Sequence, residues 1–368
     1  MQVENNILLS EFTTIKLGGN AKHFCRCESE NDIIECLEYA RQNNLKLQVL
    51  GGGSNIIFQD NGFNGIVLHS VSKGISVFGK GASDEVEITV QAGEEWDSFV
   101  LFCVSEGFCG IESLSGIPGN AGAVPIQNVG AYGSDVSKTI IDVTAVNRIT
   151  REKTKFTNEE CKFGYRNSRF KNKDKDKYII TEVKFKLIRN GNPEIEYPEL
   201  KKHIAKNYFM DSEADAQKLF DGLSNPVEKL KIVRNAVLDI RKKKGMVIDE
   251  KDEDSVSCGS FFVNPVLTKD DYKEFELIIH SEQKNYGLFE IPHFEVPEGI
   301  KISAAWLIDN AGFHKGYTKE GAGISSKHNL ALINKGGTTR SLLNLAKEIE
   351  QKVFKQFGIK LEREPIII

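Results

Sequence analysis

No apolar run in this chain approaches the length that crosses a bilayer, so a helical membrane span is not expected. The opening residues, "MQVENNILLSEF", lack the basic region and long apolar stretch of a secretory signal, so a cytoplasmic location is expected. Excess positive charge is missing too: 48 Lys and Arg stand against 52 Asp and Glu, a net charge of −4. Without a global basic field, neither nucleic acid nor an anionic membrane surface is an expected partner. The seven cysteines are odd in number and scattered, with no C-x-x-C pair, and no histidines fall in an H-E-x-x-H pattern. Reduced, packed thiols and no metal site are expected, so any redox chemistry falls to an organic cofactor. The chain has no internal repeat, and neither G-x-x-x-x-G-K-[ST] nor G-x-G-x-x-G occurs, which sets aside P-loop and Rossmann readings.

What is present is an ordinary globular composition, 40% hydrophobic and 27% charged over 368 residues, enough for two or three domains with cores of their own. "AKHFCRCES" alternates like a half-buried strand. "NDIIECLEYARQNN" reads as a helix capped by Asn31, with Ile33, Ile34, Leu37 and Ala40 on one face. "LKLQVLGGGSNIIF" then reads as strand, glycine turn and second strand. In "GGGSN", Gly51, Gly52 and Gly53 let backbone amides approach an anion, and Ser54 and Asn55 add side-chain donors. A tight inter-strand turn explains that pentapeptide equally well.

The segment Ser113–Gly133, "SLSGIPGNAGAVPIQNVGAYG", has neither helical nor strand period yet is too apolar for a disordered linker. A structureless stretch of that length within a domain reads as a functional loop wrapped around something. Pro118 and Pro125 stiffen it, Gln127 and Asn128 offer amides to a heterocycle edge, and Tyr132 offers a ring to stack. With "GGGSN" it reads as a dinucleotide site. Further on, "NPVEKLKIVRNAVLDIRKKKG" is a polar helix begun by Asn225-Pro226, and "KDDYKEFELIIHSE" is another. "SCGSFFVNP" places Ser260 either as a turn hydroxyl satisfying its own backbone or as a group that handles a proton. The chain ends on "IKLEREPIII", a strand pattern expected to run from Ile359 to Glu364.

Taken in order, "LGGGSNIIF", "SGIPGNAGAVPIQNVGAYG", "FGYRNSRFK", "CGSFFVNP" and "LEREP" resemble the UDP-N-acetylenolpyruvoylglucosamine reductase (MurB) family of flavoenzymes. The resemblance spans nearly the whole chain, and the "YPEL" segment matches the longer of the family's two forms. It implies an α+β fold of three domains: an FAD-binding fold of the vanillyl-alcohol-oxidase/PCMH type plus an α/β substrate-binding domain. The expected boundaries are 1–70 for the first FAD-binding subdomain, 71–250 for the second with its extension, and 251–356 for the substrate domain. The tail 357–368 is expected to return to the first.

The resemblance also implies a reaction. Non-covalent FAD is reduced by NADPH, and the enolpyruvyl group of UDP-N-acetylglucosamine enolpyruvate is then reduced to UDP-N-acetylmuramate, for peptidoglycan synthesis. The cofactor-binding residues carried over are Gly51, Gly52, Gly53, Ser54, Asn55, Ile117, Pro118, Gly119, Gly122, Ala123, Ile126, Gln127, Asn128, Gly130, Ala131 and Tyr132. Arg166, Ser260 and Glu364 match the catalytic group: carboxylate stabiliser, proton donor and second stabiliser. Arg169 is the competing arginine, and a surface glutamate is the plain alternative for Glu364. Tyr197, Arg241, Lys244, Asn264 and Asn310 match substrate positions, although a cationic helix C-terminus accounts for "IRKKK" as readily. Val263 and Pro365 depart from the family pattern. A monomer is expected. The competing functions are another FAD-dependent oxidoreductase of the same fold, or a flavin- or UDP-sugar-binding protein without turnover.

Overall fold

The computed structural model describes residues 1–79, 84–209, 218, 220–281 and 291–368. Glu282, the last residue of the helix expected from "KDDYKEFELIIHSE", lies outside them. The chain forms two compact units. One comprises Met1–Ile7, Ala21–Gly52 and Asn64–Val247; the other comprises Leu8–Asn20, Gly53–Phe63 and Ile248–Ile368.

In the first unit a four-stranded sheet runs in the order Val3–Leu8, Asn20–Cys27, Phe63–Ser70, Lys46–Leu50. Lys46–Leu50 pairs in parallel with the strand Phe63–Ser70 rather than with Asn20–Cys27. The helix Glu30–Gln42 starts two residues earlier than its pattern indicates. Ser29 takes the Asp32 amide at 3.2 Å, and the Asp32 carboxylate takes the Ser29 amide at 3.0 Å. That reciprocal cap satisfies two orphan donors at once, which Asn31 cannot do from inside the first turn. Ile33, Cys36, Leu37 and Ala40 are buried, while Ile34 is only half-buried, so the apolar stripe is rotated toward Cys36.

A second, larger sheet has the order Lys153–Thr157, Ile140–Asn147, Tyr178–Arg189, Glu85–Gln91, Ile75–Phe78, all antiparallel. Its inner face packs on the helix Trp96–Ser105, with Phe99 and Phe185 rings 5.3 Å apart and Trp96 against both. The helices Pro198–Tyr208 and Pro226–Lys243 bury their own core of Leu200, Ile204, Phe220, Val233, Ala236, Val237 and Ile240, against which Tyr132 packs. The Asn225 side chain caps the second of these helices, and Pro226 sits where its missing amide costs nothing.

In the second unit, the sheets Val266–Leu267, Gly299–Ile302, His293–Val296 and Thr318–Lys319, Ala322–Ile324, Leu332–Asn334 pack with three helices around one apolar core. The longest helix, Thr339–Phe357, supplies Leu342, Leu345, Ala346, Ile349, Val353 and Phe357 at helical spacing. It ends where Gly358 turns to φ +70°. The Asp60 carboxylate accepts from the Thr339 and Arg340 amides at 2.7 and 3.0 Å, fixing the helix start. The second strand expected after "GGGSN" is reduced to Ile56–Ile57, which pairs in parallel with Ile366–Ile367 of the tail.

Candidate active site

The glycine segments do two different jobs. In the first unit, a Cβ on Gly52 would stand 2.8 Å from the Gly119 Cα and 2.7 Å from the Asn120 side-chain oxygen. Only glycine lets Leu50–Gly52 lie that close to Gly119–Asn120, and Gly52 itself is exposed. Asn120 holds the junction by donating to the Ser70 and Gly93 carbonyls at 3.3 and 3.4 Å. In the second unit, Gly53 has φ +66°, and a Cβ there would run into the Phe12 carbonyl. The Gly53 carbonyl accepts a hydrogen bond from the Thr14 amide at 3.1 Å.

The long loop is held by hydrogen bonds rather than by regular structure. Trp96 donates its backbone amide to the Gly119 carbonyl and its indole N–H to the Leu114 carbonyl, at 2.9 and 3.1 Å. Gly122 lies so near Ala92 that a Cβ would come within 2.5 Å of the alanine methyl, and its amide donates to the Ala92 carbonyl. Gly116, at φ +70°, donates to the Asp97 carboxylate at 2.6 Å. Arg234 grips the same carboxylate with two nitrogens, at 2.6 and 2.8 Å. Burial alone would raise the pKa of Asp97, but the guanidinium fork and the loop amide outweigh it and hold the carboxyl below its ordinary value. The Asp97–Arg234 clamp has no sequence signature, because its halves are 137 residues apart.

Asn128 is not turned outward toward a heterocycle. At φ +48° and buried, it donates to the Gly164 carbonyl at 3.1 Å and accepts from the Ser137 amide at 3.1 Å, so it braces the loop. The Ser168 hydroxyl adds a 2.6 Å bond to the Ile126 carbonyl. Ile117, Pro118, Ile126, Gln127, Gly130 and Ala131 are half-buried along this loop, and Ala123 is exposed.

Arg166 and Arg169 separate cleanly. Gly164 and Asn167 exchange backbone hydrogen bonds of 3.0 and 3.1 Å, closing a tight turn with Arg166 at φ +49° inside it. A non-glycine residue in that conformation costs free energy. The half-buried Arg166 guanidinium reaches back to the Gly130 carbonyl of the long loop at 2.8 Å. Arg169 instead pairs with Asp174 at 2.7 Å, donates to the Glu160 carbonyl at 2.9 Å and lies 4.3 Å above the Phe156 ring. Burial would raise the pKa of Asp174, yet its hydrogen bonds to Arg169 keep the carboxyl below its ordinary value. Arg169 is thus taken up by contacts within its own neighbourhood.

A second cluster in the same unit gathers three of the substrate candidates. The Tyr132 and Tyr197 rings meet edge to face at 5.5 Å, and burial pushes the Tyr132 hydroxyl up to about 12 against the opposing pull of Arg241. Arg241 donates to the Met246 carbonyl at 2.8 Å, and a Cβ on Gly116 would stand 3.4 Å from its Nε. Lys244, at the helix C-cap, pairs with Glu199 at 2.6 Å. The run "IRKKK" thus contains one half-buried arginine beside the loop, as well as a favourable helix end.

The second unit brings Ser260 and Glu364 together. Phe262–Val263 pairs antiparallel with Glu362–Arg363, and the Glu364 amide donates to the Phe261 carbonyl at 2.9 Å. Glu364 therefore crosses the chain at the residue next to Ser260. The Asn55 side chain donates to the Glu364 carbonyl at 3.4 Å, and the Ile366 amide donates to the Asn55 carbonyl at 3.0 Å. The expected strand Ile359–Glu364 is confined to Glu362–Arg363, and the ladder resumes at Ile366–Ile367. Pro365, buried and without an amide, marks the break. Glu362 is exposed while Glu364 is half-buried. Burial first, and then the Glu364 charge, push the neighbouring Cys258 thiol up to about 12.

The local turn chemistry belongs to Ser257, whose hydroxyl accepts from the Gly259 amide at 3.2 Å while its carbonyl takes the Thr14 hydroxyl at 2.6 Å. That leaves the role of backbone-satisfying turn serine to Ser257, not to the half-buried Ser260. Asn264 accepts from the Ala304 amide at 2.9 Å at the start of the helix Ala304–Asn310. Asn310 donates to the Trp306 carbonyl one turn back at 2.9 Å, and its own carbonyl takes the Gln356 side chain at 2.9 Å.

Residues 251–368 match the model of the UDP-N-acetylenolpyruvoylglucosamine reductase C-terminal domain, and residues 21–150 match that of an FAD-binding domain. The chain is similar to a UDP-N-acetylenolpyruvoylglucosamine reductase of Thermobifida fusca, 42% identical over 99% of this chain and 97% of that protein. A reductase of the same name from Flavobacterium johnsoniae is 37% identical over the full length of both chains. Among solved structures, the reductase from Thermus caldophilus superposes with a TM-score of 0.64 at 22% identity, covering 100% of this chain and 99% of that one, and shares the fold. By sequence over its whole length, the chain belongs to the UDP-N-acetylenolpyruvoylglucosamine reductase family.

Proposed function

We propose that Arg166, Ser260 and Glu364 carry the family's reaction in this chain, the reduction of the enolpyruvyl group of UDP-N-acetylglucosamine enolpyruvate to UDP-N-acetylmuramate. The observation that supports the assignment is the 2.9 Å bond from the Glu364 amide to the Phe261 carbonyl, which brings the Glu364 backbone against the residue that follows Ser260. FAD, when bound, supplies the two-electron chemistry that links NADPH to the vinyl group.

The residues fit that cofactor. Gly51 and Gly52, seated on Gly119–Asn120, and Gly53–Asn55, with their glycine-restricted backbone, suit a pyrophosphate. The loop Ile117–Tyr132, clamped at Gly116 and Asn128, suits a flavin ring. Neither segment contains a histidine or cysteine, so the cofactor is held non-covalently.

The demands on the protein follow from where charge develops. Addition of hydride to the terminal vinyl carbon places negative charge on the neighbouring carbon and its carboxylate. Arg166 answers that charge with a planar cationic fork whose backbone is already fixed by a tight turn. Ser260 then gives its hydroxyl proton to the charged carbon, and solvent restores the serine. An alcohol is acidic enough for an enolate held in an oriented site away from water. Glu364 stabilises the same intermediate by hydrogen bonding. Tyr197, Arg241 and Lys244 hold the UDP pyrophosphate, with Asn264 and Asn310 as further substrate contacts. This chain acts in the cytoplasm as a monomer, and among the described residues no helix is long and apolar enough to cross a membrane.

Glu364 and Glu362 provide the test. Glu364→Ala lowers kcat and kcat/KM together, by about a hundredfold, while substrate affinity barely moves, the pattern of a group that acts only as charge builds. Glu364→Gln, which keeps hydrogen bonding but loses the carboxyl, falls between the two. The exposed Glu362→Ala stays at the parent rate. Normal turnover by Glu364→Ala in steady-state assays removes this carboxylate from the mechanism.

A further inference from the structure

The fold gathers three cysteines that the spacing of the sequence does not associate. Cys25 and Cys27 stand two apart on the strand Asn20–Cys27 and therefore share a face. That face is covered by the helix Glu30–Gln42, whose rotated stripe directs Cys36 onto it. All three thiols are buried, the Cys25 and Cys27 sulfurs are 3.7 Å apart, and all three sulfurs lie within 4.8 Å of one another. Ile33, Leu37, Ala40, Ile66, Leu68, Val146 and Ile179 complete the same small core.

We propose that Cys25, Cys27 and Cys36 form a three-coordinate thiolate site for a soft monovalent ion of the Cu(I) class, remote in sequence from the residues assigned to the reaction. Metal–thiolate bonds run to about 2.3 Å, so a trigonal ion holds its three sulfurs about 4 Å apart. The 3.7 Å between Cys25 and Cys27 and the 4.8 Å limit on the whole trio are compatible with that value, and small side-chain rotations bring all three onto one centre. Soft thiolates select Cu(I) over harder ions, and a structural zinc site normally demands a fourth protein ligand, which the described residues do not add to this trio. Binding requires thiolates. The incoming ion displaces the thiol protons. The bound ion joins strand to helix and adds to the stability of this layer. The proposal departs from the expectation of no metal drawn from cysteine spacing. Spacing along the chain misses a ligand set completed by a helix folding back on its own strand.

The test uses FAD-loaded enzyme, kept anaerobic with a phosphine reductant and titrated with Cu(I) from a chromogenic chelator complex. The parent withdraws one equivalent, its melting temperature rises, and an equal concentration of Zn(II) does not compete. Cys27→Ala and Cys36→Ala each weaken Cu(I) binding by at least about a hundredfold, the scale expected for a lost first ligand. Cys103→Ala and Cys161→Ala, buried elsewhere, leave it unchanged. Should an alanine variant fold poorly, copper-edge X-ray absorption on the folded parent decides the matter independently, with three sulfurs as the expected shell. Undiminished stoichiometry in both trio variants, a shell containing fewer than three sulfurs, or uptake only after the parent is unfolded in urea each overturns the proposal.

Discussion

Ser260→Ala separates the two halves of the catalytic cycle. Reduction of the bound flavin by NADPH does not use a proton donor to substrate carbon, so its rate stays at the parent value. Discharge of the reduced enzyme by the enolpyruvyl substrate falls by about a hundredfold or more, the scale of a lost general acid. Ser260→Cys recovers part of that loss, because a thiol also donates a proton. Rapid-mixing absorbance in the flavin band reads both phases on one sample. The structure sharpens this expectation, since Ser257, three residues earlier, already satisfies the turn. Ser260 can therefore be truncated without removing a backbone bond of that turn, and a drop confined to one half-reaction reports chemistry rather than folding. Equal losses in both halves would make Ser260 structural.

Arg166→Gln and Arg169→Ala give opposite signatures although only two residues separate them. Arg166→Gln keeps a hydrogen-bond donor but loses the charge. It lowers kcat by about a hundred- to a thousandfold, the range for removal of one group aimed at developing negative charge. Its urea midpoint stays near the parent, because the turn that positions it is closed by Gly164 and Asn167. Arg169→Ala strands the Asp174 carboxylate, whose side chain is only 3% exposed. Removing one partner of such a pair costs about 3 kcal/mol, so this variant shifts the urea midpoint and retains kcat once folded. A collapse of kcat in Arg169→Ala with Arg166→Gln fully active would exchange the two assignments.

The parts of this molecule that can be read along the chain are those whose cause is local. The glycine segments, the Asn225-Pro226 helix start and the Gly358 stop are each encoded within a few residues. What escapes local reading depends on partners far away. The "IKLE" alternation promises a strand, but among the described residues the tail has ladder partners only for Glu362–Arg363 and Ile366–Ile367, at Phe262–Val263 and Ile56–Ile57 respectively. Asn128 carries an amide suited to a ligand, yet the loop needs that amide for Gly164 and Ser137. Asp97 looks like a first-turn helix acid until Arg234 is brought onto it. Cys36 reads as one more apolar residue on a helix face, and only the strand beneath makes it one of three. The juxtaposition of Ser260 with Glu364 is of this second kind. Family resemblance named both residues, and the strand pairing brings their backbones close.

The most direct measurement of the central claim is NADPH consumption by the FAD-loaded protein with and without UDP-N-acetylglucosamine enolpyruvate. The account predicts steady NADPH oxidation only when that substrate is present, with one UDP-N-acetylmuramate formed per NADPH consumed. Oxidation that proceeds equally without the enolpyruvyl sugar would mark a different flavin oxidoreductase. A flavin-loaded protein that consumes no NADPH in its presence would mark a binding protein, and either result contradicts the account.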